Sequence, residues 1–169
     1  MIPLAEAVKL KSILQKKFTE LIDERRRVAF ISVEKGTIAQ REGRTITIVE
    51  QELDVIRKDI RTLDRLIYVA NSTHTISFLG EELTVVEAIE YAKQLRLEAI
   101  EARSFSENEK ETMEYGYGES VQMVRVALFD PEDYRVRADE LEKLAHKLSN
   151  RINAKNYEVK IDFDDSTYM

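Results

Sequence analysis

Cysteine is absent from the 169 residues, which excludes disulfides, thiolate metal sites and a thiol nucleophile. The absence also suits a reducing compartment, so the cytoplasm is the expected location. Five glycines and two prolines are all that punctuate the chain, so regular elements must be long and connections few. No stretch approaches the roughly 18 uninterrupted apolar residues of a membrane span. The opening Met-Ile-Pro-Leu-Ala-Glu-Ala carries an acid at Glu6 and no basic-then-apolar export pattern, so no membrane is expected as a partner. Also missing are a phosphate-binding glycine loop, a Gly-x-Ser-x-Gly elbow and a His-rich metal spacing. With only His74 and His146, a metal site would need mainly carboxylates. No catalytic residue, metal ligand or cofactor is assigned, and the chain reads as a non-enzyme.

What is present is apolar and charged in the proportions of a folded helical protein. Hydrophobic residues make up 43% and charged residues 34%, which provides for a core and for long solvated helix faces. The 26 basic and 32 acidic residues leave a net charge of -6, which disfavours nucleic acid as a partner although a local basic patch can still hold phosphate.

From Pro3 a seven-residue repeat carries Leu4, Ala7, Leu14, Phe18, Leu21 and Val28, with Lys11 and Arg25 on the same stripe. Pro3 suits a first helical position, and the spacing predicts a helix to about Ser32. Residues 33–47 hold Gly36 and Gly43, and Thr45-Ile46-Thr47-Ile48 alternates like a short strand. A second heptad follows at Val49, Leu53, Ile56, Ile60, Leu63, Ile67 and Ala70. A short connection between two such helices favours an antiparallel hairpin. Ile13, Ile22, Val55 and Leu66 flank the seam, a stripe wider than two helices cover, so further packing and a homo-oligomer through these helices are expected.

Beyond the hairpin, Asn71 to Gly80 breaks the helix and then alternates like a short strand turning at Gly80, and Thr84 followed by Glu87 reads as a capping box. The third helix should then bury Val85, Val86, Ile89, Ala92, Leu97 and Ile100. Residues 104–114 read as a polar linker, residues 121–129 as a strand, and Asp130-Pro131 as the start of a fourth helix carrying Tyr134, Leu141, Leu144, Leu148 and Ile152. Tyr157, Val159, Ile161 and Phe163 alternate as a half-buried strand, and the last five residues look frayed. The fold class is α+β, mainly α: a coiled-coil-like helical hairpin, two further helices and a small antiparallel sheet. Residues 1–169 are taken as one domain, with the hairpin over 3–73 and an α/β part over 74–169 whose strands lie near 74–79, 119–129 and 157–163.

Leu4-Ala5-Glu6-Ala7 with Leu14-Gln15-Lys16, Asn71-Ser72-Thr73, the Thr84 helix start and the fourth helix ending in Asn156 and Tyr157 resemble the septicolysin-like family of uncharacterised bacterial and phage proteins. The resemblance spans nearly the whole chain and implies the fold, with no established enzymatic activity. The family's Arg-Tyr-Ser-Arg-like lead before the fourth helix is replaced here by Tyr115-Gly116-Tyr117-Gly118-Glu119-Ser120, so an anion-binding role for those arginines does not carry over. The family name implies lysis, but no amphipathic membrane-inserting segment is visible. Relatives in phage genomes resemble sponges that capture host immune signalling nucleotides.

Several residues fit that chemistry. Arg57, Arg61 and Arg65 recur every four residues, so their guanidinium groups share a helix face and can grip phosphates, or form a solvated face balanced by Asp54, Asp59 and Asp64. Asn71, Thr73 and His74 gather amide, hydroxyl and imidazole groups at a helix end, either for a ribose or base edge or for local hydrogen bonds. Tyr115 and Tyr117 can sandwich a flat base or cover the sheet. Arg125 and Arg137, with Arg135, flank the strand-to-helix junction and can complete an anion site or pair with Glu132, Asp133 and Glu140. The expected function is a non-enzymatic oligomeric binding protein sequestering a small phosphorylated signalling nucleotide. The alternative is a helical interaction module without a small-molecule ligand.

Overall fold

Heptad spacing and end signals together determine where the helices run. The structure, a computed structural model, describes residues 1–40, 42–114 and 122–168. In chain order these form β1 (Ile2–Pro3), α1 (Leu4–Val28), α2 (Ile46–Thr73), β2 (Thr75–Phe78), β3 (Glu81–Thr84), α3 (Val85–Ser106), β4 (Glu111–Glu114), β5 (Met123–Val126), α4 (Pro131–Glu158) and β6 (Lys160–Ile161). The architecture is α+β and mainly α. The strands make three separate two-stranded antiparallel ribbons, β1-β6, β2-β3 and β4-β5. The chain divides into two compact units, Met1–His74 with Lys155–Met169, and Thr75–Ala154. The sequence predicts one domain throughout, whereas this division falls inside α4.

In the first unit α1 and α2 lie antiparallel. Lys11 meets Asp64, Arg57 lies over the Phe18 ring and Arg44 bridges Glu24 to Glu52, so the paired positions run in opposite directions. Their seam buries Leu4, Ala7, Leu10, Leu14 and Leu21 against Val49, Leu53, Ile56, Leu63, Ile67 and Ala70. Each fully buried leucine contributes about 1.5–3 kcal/mol. Ile22 and Leu66 pack half-buried on this core, whereas Ile13 and Val55 remain exposed. Part of the extra apolar stripe is covered by this chain's own C-terminal segment, because Val159, Ile161 and Phe163 join the same core.

Several sequence expectations are corrected here. Pro3 is the N-cap of α1 and pairs with Lys160 across β1-β6, while Leu4 N–H donates to the Val159 carbonyl. Helix α1 ends at Val28 and not Ser32. Thr45-Ile46-Thr47-Ile48 is not a strand: Thr45 is the N-cap of α2, its hydroxyl accepts from Ile48 N–H, and this cap overrides the β-branched alternation. Of the strand expected near 157–163, only Lys160–Ile161 pairs, and Tyr157 lies in the last turn of α4. The C-terminal residues are not all frayed, since the Tyr168 hydroxyl donates to Asp59 at 2.5 Å and Lys17 sits over its ring.

In the second unit the Thr84 capping box forms as expected, with the Thr84 hydroxyl accepting from Glu87 N–H and the Glu87 carboxylate accepting from Thr84 N–H. The strand expected over 74–79 is β2, and it pairs with β3 across Leu79-Gly80. Phe78 and Ile76 pack with Val85, Ala88, Ala92, Leu95, Ala145, Leu148 and Ile152. The predicted buried face of α3 is wrong in part: alanines pack inward with Val85 and Leu95, while Val86, Ile89, Leu97 and Ile100 are exposed. Small side chains let helices approach closely, and that selects the alanine face over the bulkier one. Residues 104–114 are not all linker, because α3 continues to Ser106 and Glu111–Glu114 is β4. The strand expected over 119–129 is confined to Met123–Val126 among the described residues.

Candidate functional site

The α3 C-terminus, the β4-β5 ribbon and the turn before α4 enclose a cavity of about 470 Å³, lined by Ser104, Phe105, Asn108, Glu109, Thr112, Arg125 and residues 126–129. Its walls follow from local chemistry. Asn108 Nδ2 donates to the Ser104 and Phe105 carbonyls and so satisfies orphan groups at the end of α3. Ala127 N–H donates to the Lys110 carbonyl and extends the ribbon by one rung. Register places Thr112 opposite Arg125, so hydroxyl and guanidinium stand on one face of the ribbon. Before α4, Asp130 accepts from Glu132 N–H and Pro131 occupies the first helical position.

One side of the cavity is aromatic. Phe105 and Phe129 have ring centroids 5.2 Å apart, and Tyr134 packs edge-on at 5.1 Å from each. The other side is polar: Arg125 makes no ion pair or hydrogen bond among the described residues, and Glu109 supplies one carboxylate. Lys110 lies 3.7 Å from Asp130. A cation beside a hydroxyl, a carboxylate and two ring faces can hold a phosphate, hydroxyl groups and a flat heterocycle together.

The other residues singled out in the sequence are distributed as follows. Arg57 bonds Asp54 at 3.0 Å and lies over Phe18. With Arg61 it lines a shallow hollow of about 320 Å³ that also contains Gln15, Phe18 and Ile60; Arg65 does not line it. The balancing acids are only partly used as expected, since Asp59 accepts from Tyr168 and Asp64 pairs with Lys11. Arg61 and Arg65 have no ion pair among the described residues. At the end of α2, the Ser72 and Thr73 hydroxyls donate to the Tyr68 and Val69 carbonyls, each at 2.8 Å, and His74 Nδ1 lies 3.0 Å from the Ala70 carbonyl. These groups therefore finish the helix, and Asn71 beside them is half-buried. Arg137 is 3.8 Å from Glu98 and lies over Tyr134. Tyr115 and Tyr117 fall outside the described residues.

Of the arginines near the strand-to-helix junction, Arg125 is the one that lines the large cavity. Sequence reasoning missed Phe105, Asn108, Glu109, Thr112 and Phe129, because β4 carries mainly polar residues and reads as linker. The signal that would have found them is the spacing of Thr112 to Arg125 across a hairpin. No cluster of three or more His, Asp or Glu able to hold a metal ion is present among the described residues.

No family model matches this chain, and no curated protein matches it. Among solved structures, the crystal structure of a functionally unknown conserved protein from Corynebacterium diphtheriae is similar, with a TM-score of 0.64 and 21% identity over 95% of this chain and 99% of that one. At that identity the likeness is one of fold.

Proposed function

We propose that the chain is a non-enzymatic binding protein that sequesters a small phosphorylated nucleotide, with the 470 Å³ cavity of the second unit as its site. The observation that carries this reading is Arg125, unpaired among the described residues and sharing a cavity with Phe105 and Phe129. The volume lies in the range of about 300–1,000 Å³ common for small-ligand sites. Arg125 would take the phosphate bidentately, the phenyl rings the base, and Glu109 with Thr112 the ribose hydroxyls. The resemblance to the septicolysin-like family and its phage relatives supports a sponge of the anti-defence type acting in the cytoplasm. Val8, Ile13, Val55 and Val69 on the hairpin, all exposed, support assembly into a homo-oligomer.

Isothermal titration against cyclic nucleotides and ADP-ribose-type nucleotides, with inorganic phosphate as control, tests the site. Saturable heat with a nucleotide and its recovery intact after incubation are expected. Arg125→Ala should weaken binding by about tenfold to a hundredfold, the worth of a charge-assisted hydrogen bond. No heat with any nucleotide, or an unchanged affinity in the variant, overturns the reading.

A second reading rests on α3. Val86, Ile89, Leu97 and Ile100 fall within an arc of roughly 80° at the helical period, an exposed apolar stripe of the kind that receives a partner helix. Under that reading the chain is an interaction module, and a quadruple substitution of the stripe by serine abolishes partner capture while leaving nucleotide titration unchanged.

A further inference from the structure

The exposed stripe of α3 has a symmetry that its composition alone does not reveal. Its apolar members Val86, Ile89, Leu97 and Ile100 stand seven and four residues before Lys93, and four and seven residues after it. The spacings are therefore three, four, four and three, which read the same from either end. A parallel two-helix seam needs three and four in alternation, and this stripe breaks that order at its middle. Turned end for end about Lys93, a second α3 brings Val86 level with Ile100 and Ile89 level with Leu97. Every apolar side chain of the stripe then meets an apolar one, which is the self-matching that a two-fold contact requires.

Charge favours the same arrangement. Lys93 leans to the Glu90 side of the stripe, its Nζ 3.5 Å from Glu90 Oε2, and both side chains are exposed. A two-fold axis perpendicular to the helices sets that side against itself, so two lysines and two glutamates fall in one row. Each lysine then stands between its own Glu90 and that of the other copy. In a parallel pair the two Glu90 residues would lie on opposite sides of the seam, away from the other copy's lysine. Glu101 borders the same side and comes level with Val85 of the other copy, in the first turn of α3, where the helix dipole favours a carboxylate. The basic residues on the opposite border are committed to α4: Arg96 donates to Ser149, and Arg103 to Asp139 and Glu142. An unrelated helix would cover the apolar residues, whereas a second α3 also supplies the matched spacing and the Glu90-Lys93 row.

We propose that the stripe is the seam of a homodimer in which two α3 helices pack antiparallel about Lys93. This rests on the second reading above, that the stripe receives a helix, and names that helix as α3 of another copy.

The chain contains no cysteine, so introduced thiols report the seam directly. Val86→Cys and Ile100→Cys chains, mixed and oxidised, should give a disulfide-linked dimer. Val86→Cys alone should stay unlinked, because its two thiols would stand about 21 Å apart along the seam at 1.5 Å per residue, beyond disulfide reach. In sedimentation, Glu90→Lys should weaken the dimer about fivefold or more, since it removes ion pairs and adds like charges, and Glu90→Lys with Lys93→Glu should restore it. Linking of Val86→Cys to itself, an unlinked mixture, or a charge-swapped chain as weak as the single variant each overturns the proposal. A purified chain that stays monomeric yet binds another helical protein through the stripe also overturns it, while leaving the second reading intact. If the quadruple serine variant changes neither self-association nor partner capture, the second reading falls as well.

Discussion

Leu79 offers a sharp test of the backbone reasoning. It forms, with Gly80, the two-residue connection between β2 and β3, and both have positive φ, 52° and 86°. Two left-handed central residues define the hairpin turn whose twist matches the flanking strands, and Asn-Gly is its favoured sequence. A leucine in that region costs about 1–2 kcal/mol, and Leu79 is 62% exposed, so its contacts return only about 1 kcal/mol at most. Leu79→Asn keeps the turn and relaxes the strain, for a net gain of about 0.5 kcal/mol. That corresponds to roughly 1–2 °C in Tm for a chain of this size. Leu79→Ala loses the same contacts without the backbone relief, so the asparagine variant should exceed the alanine variant by about 1 kcal/mol in urea denaturation followed by circular dichroism. An asparagine variant no more stable than the alanine one would refute the assigned turn.

Other perturbations follow from the same contacts. Leu148, fully buried in the second unit's core, should lose about 2–5 kcal/mol of stability on change to alanine, read by denaturant midpoint. Thr84→Ala removes the capping box of α3 and should cost about 0.5–2 kcal/mol. The Thr84 hydroxyl and then its N–H hold the Glu87 carboxyl below the usual glutamate range. That contribution is present above the usual range and disappears as pH falls through the lowered value, so the gap between variant and wild type should narrow in acid. The Tyr168 phenol is pushed up to about 12 by burial and by its bond to Asp59. Its contribution is complete below the ordinary phenol value of 10 and is lost as pH rises towards 12, so the stability difference between wild type and Tyr168→Phe should fade across that window.

The hairpin was legible because period and burial coincide. Leu14, Leu21, Leu53 and Leu63 sit where a heptad puts them, and Thr84-Glu87 announces a helix start by chemistry that needs no distant partner. What was hidden depended on tertiary choice. Thr45 to Ile48 has strand-like residues, yet one threonine cap commits them to α2. On α3 the eye follows Val86, Ile89, Leu97 and Ile100, whereas close packing selects Ala88, Ala92 and Ala99. The ends of the chain pair through Ile2 and Ile161, a contact that no local pattern encodes. Among the candidate site residues, Arg125 was visible as a charge near a junction, but its cavity needed β4, whose Glu111-Thr112-Met113-Glu114 lacks the apolar alternation of a half-buried strand. The polar groups at Ser72, Thr73 and His74 illustrate the reverse case, since a ligand-like cluster is consumed by its own helix end.

Native mass spectrometry of the protein isolated from its own cells tests the central claim most directly, because subunit number and retained ligand are read together. The account predicts a multiple of the 19.7 kDa chain carrying a phosphorylated nucleotide that is lost in Arg125→Ala. A bare 19.7 kDa monomer at micromolar concentration, or a nucleotide retained equally by that variant, would contradict it.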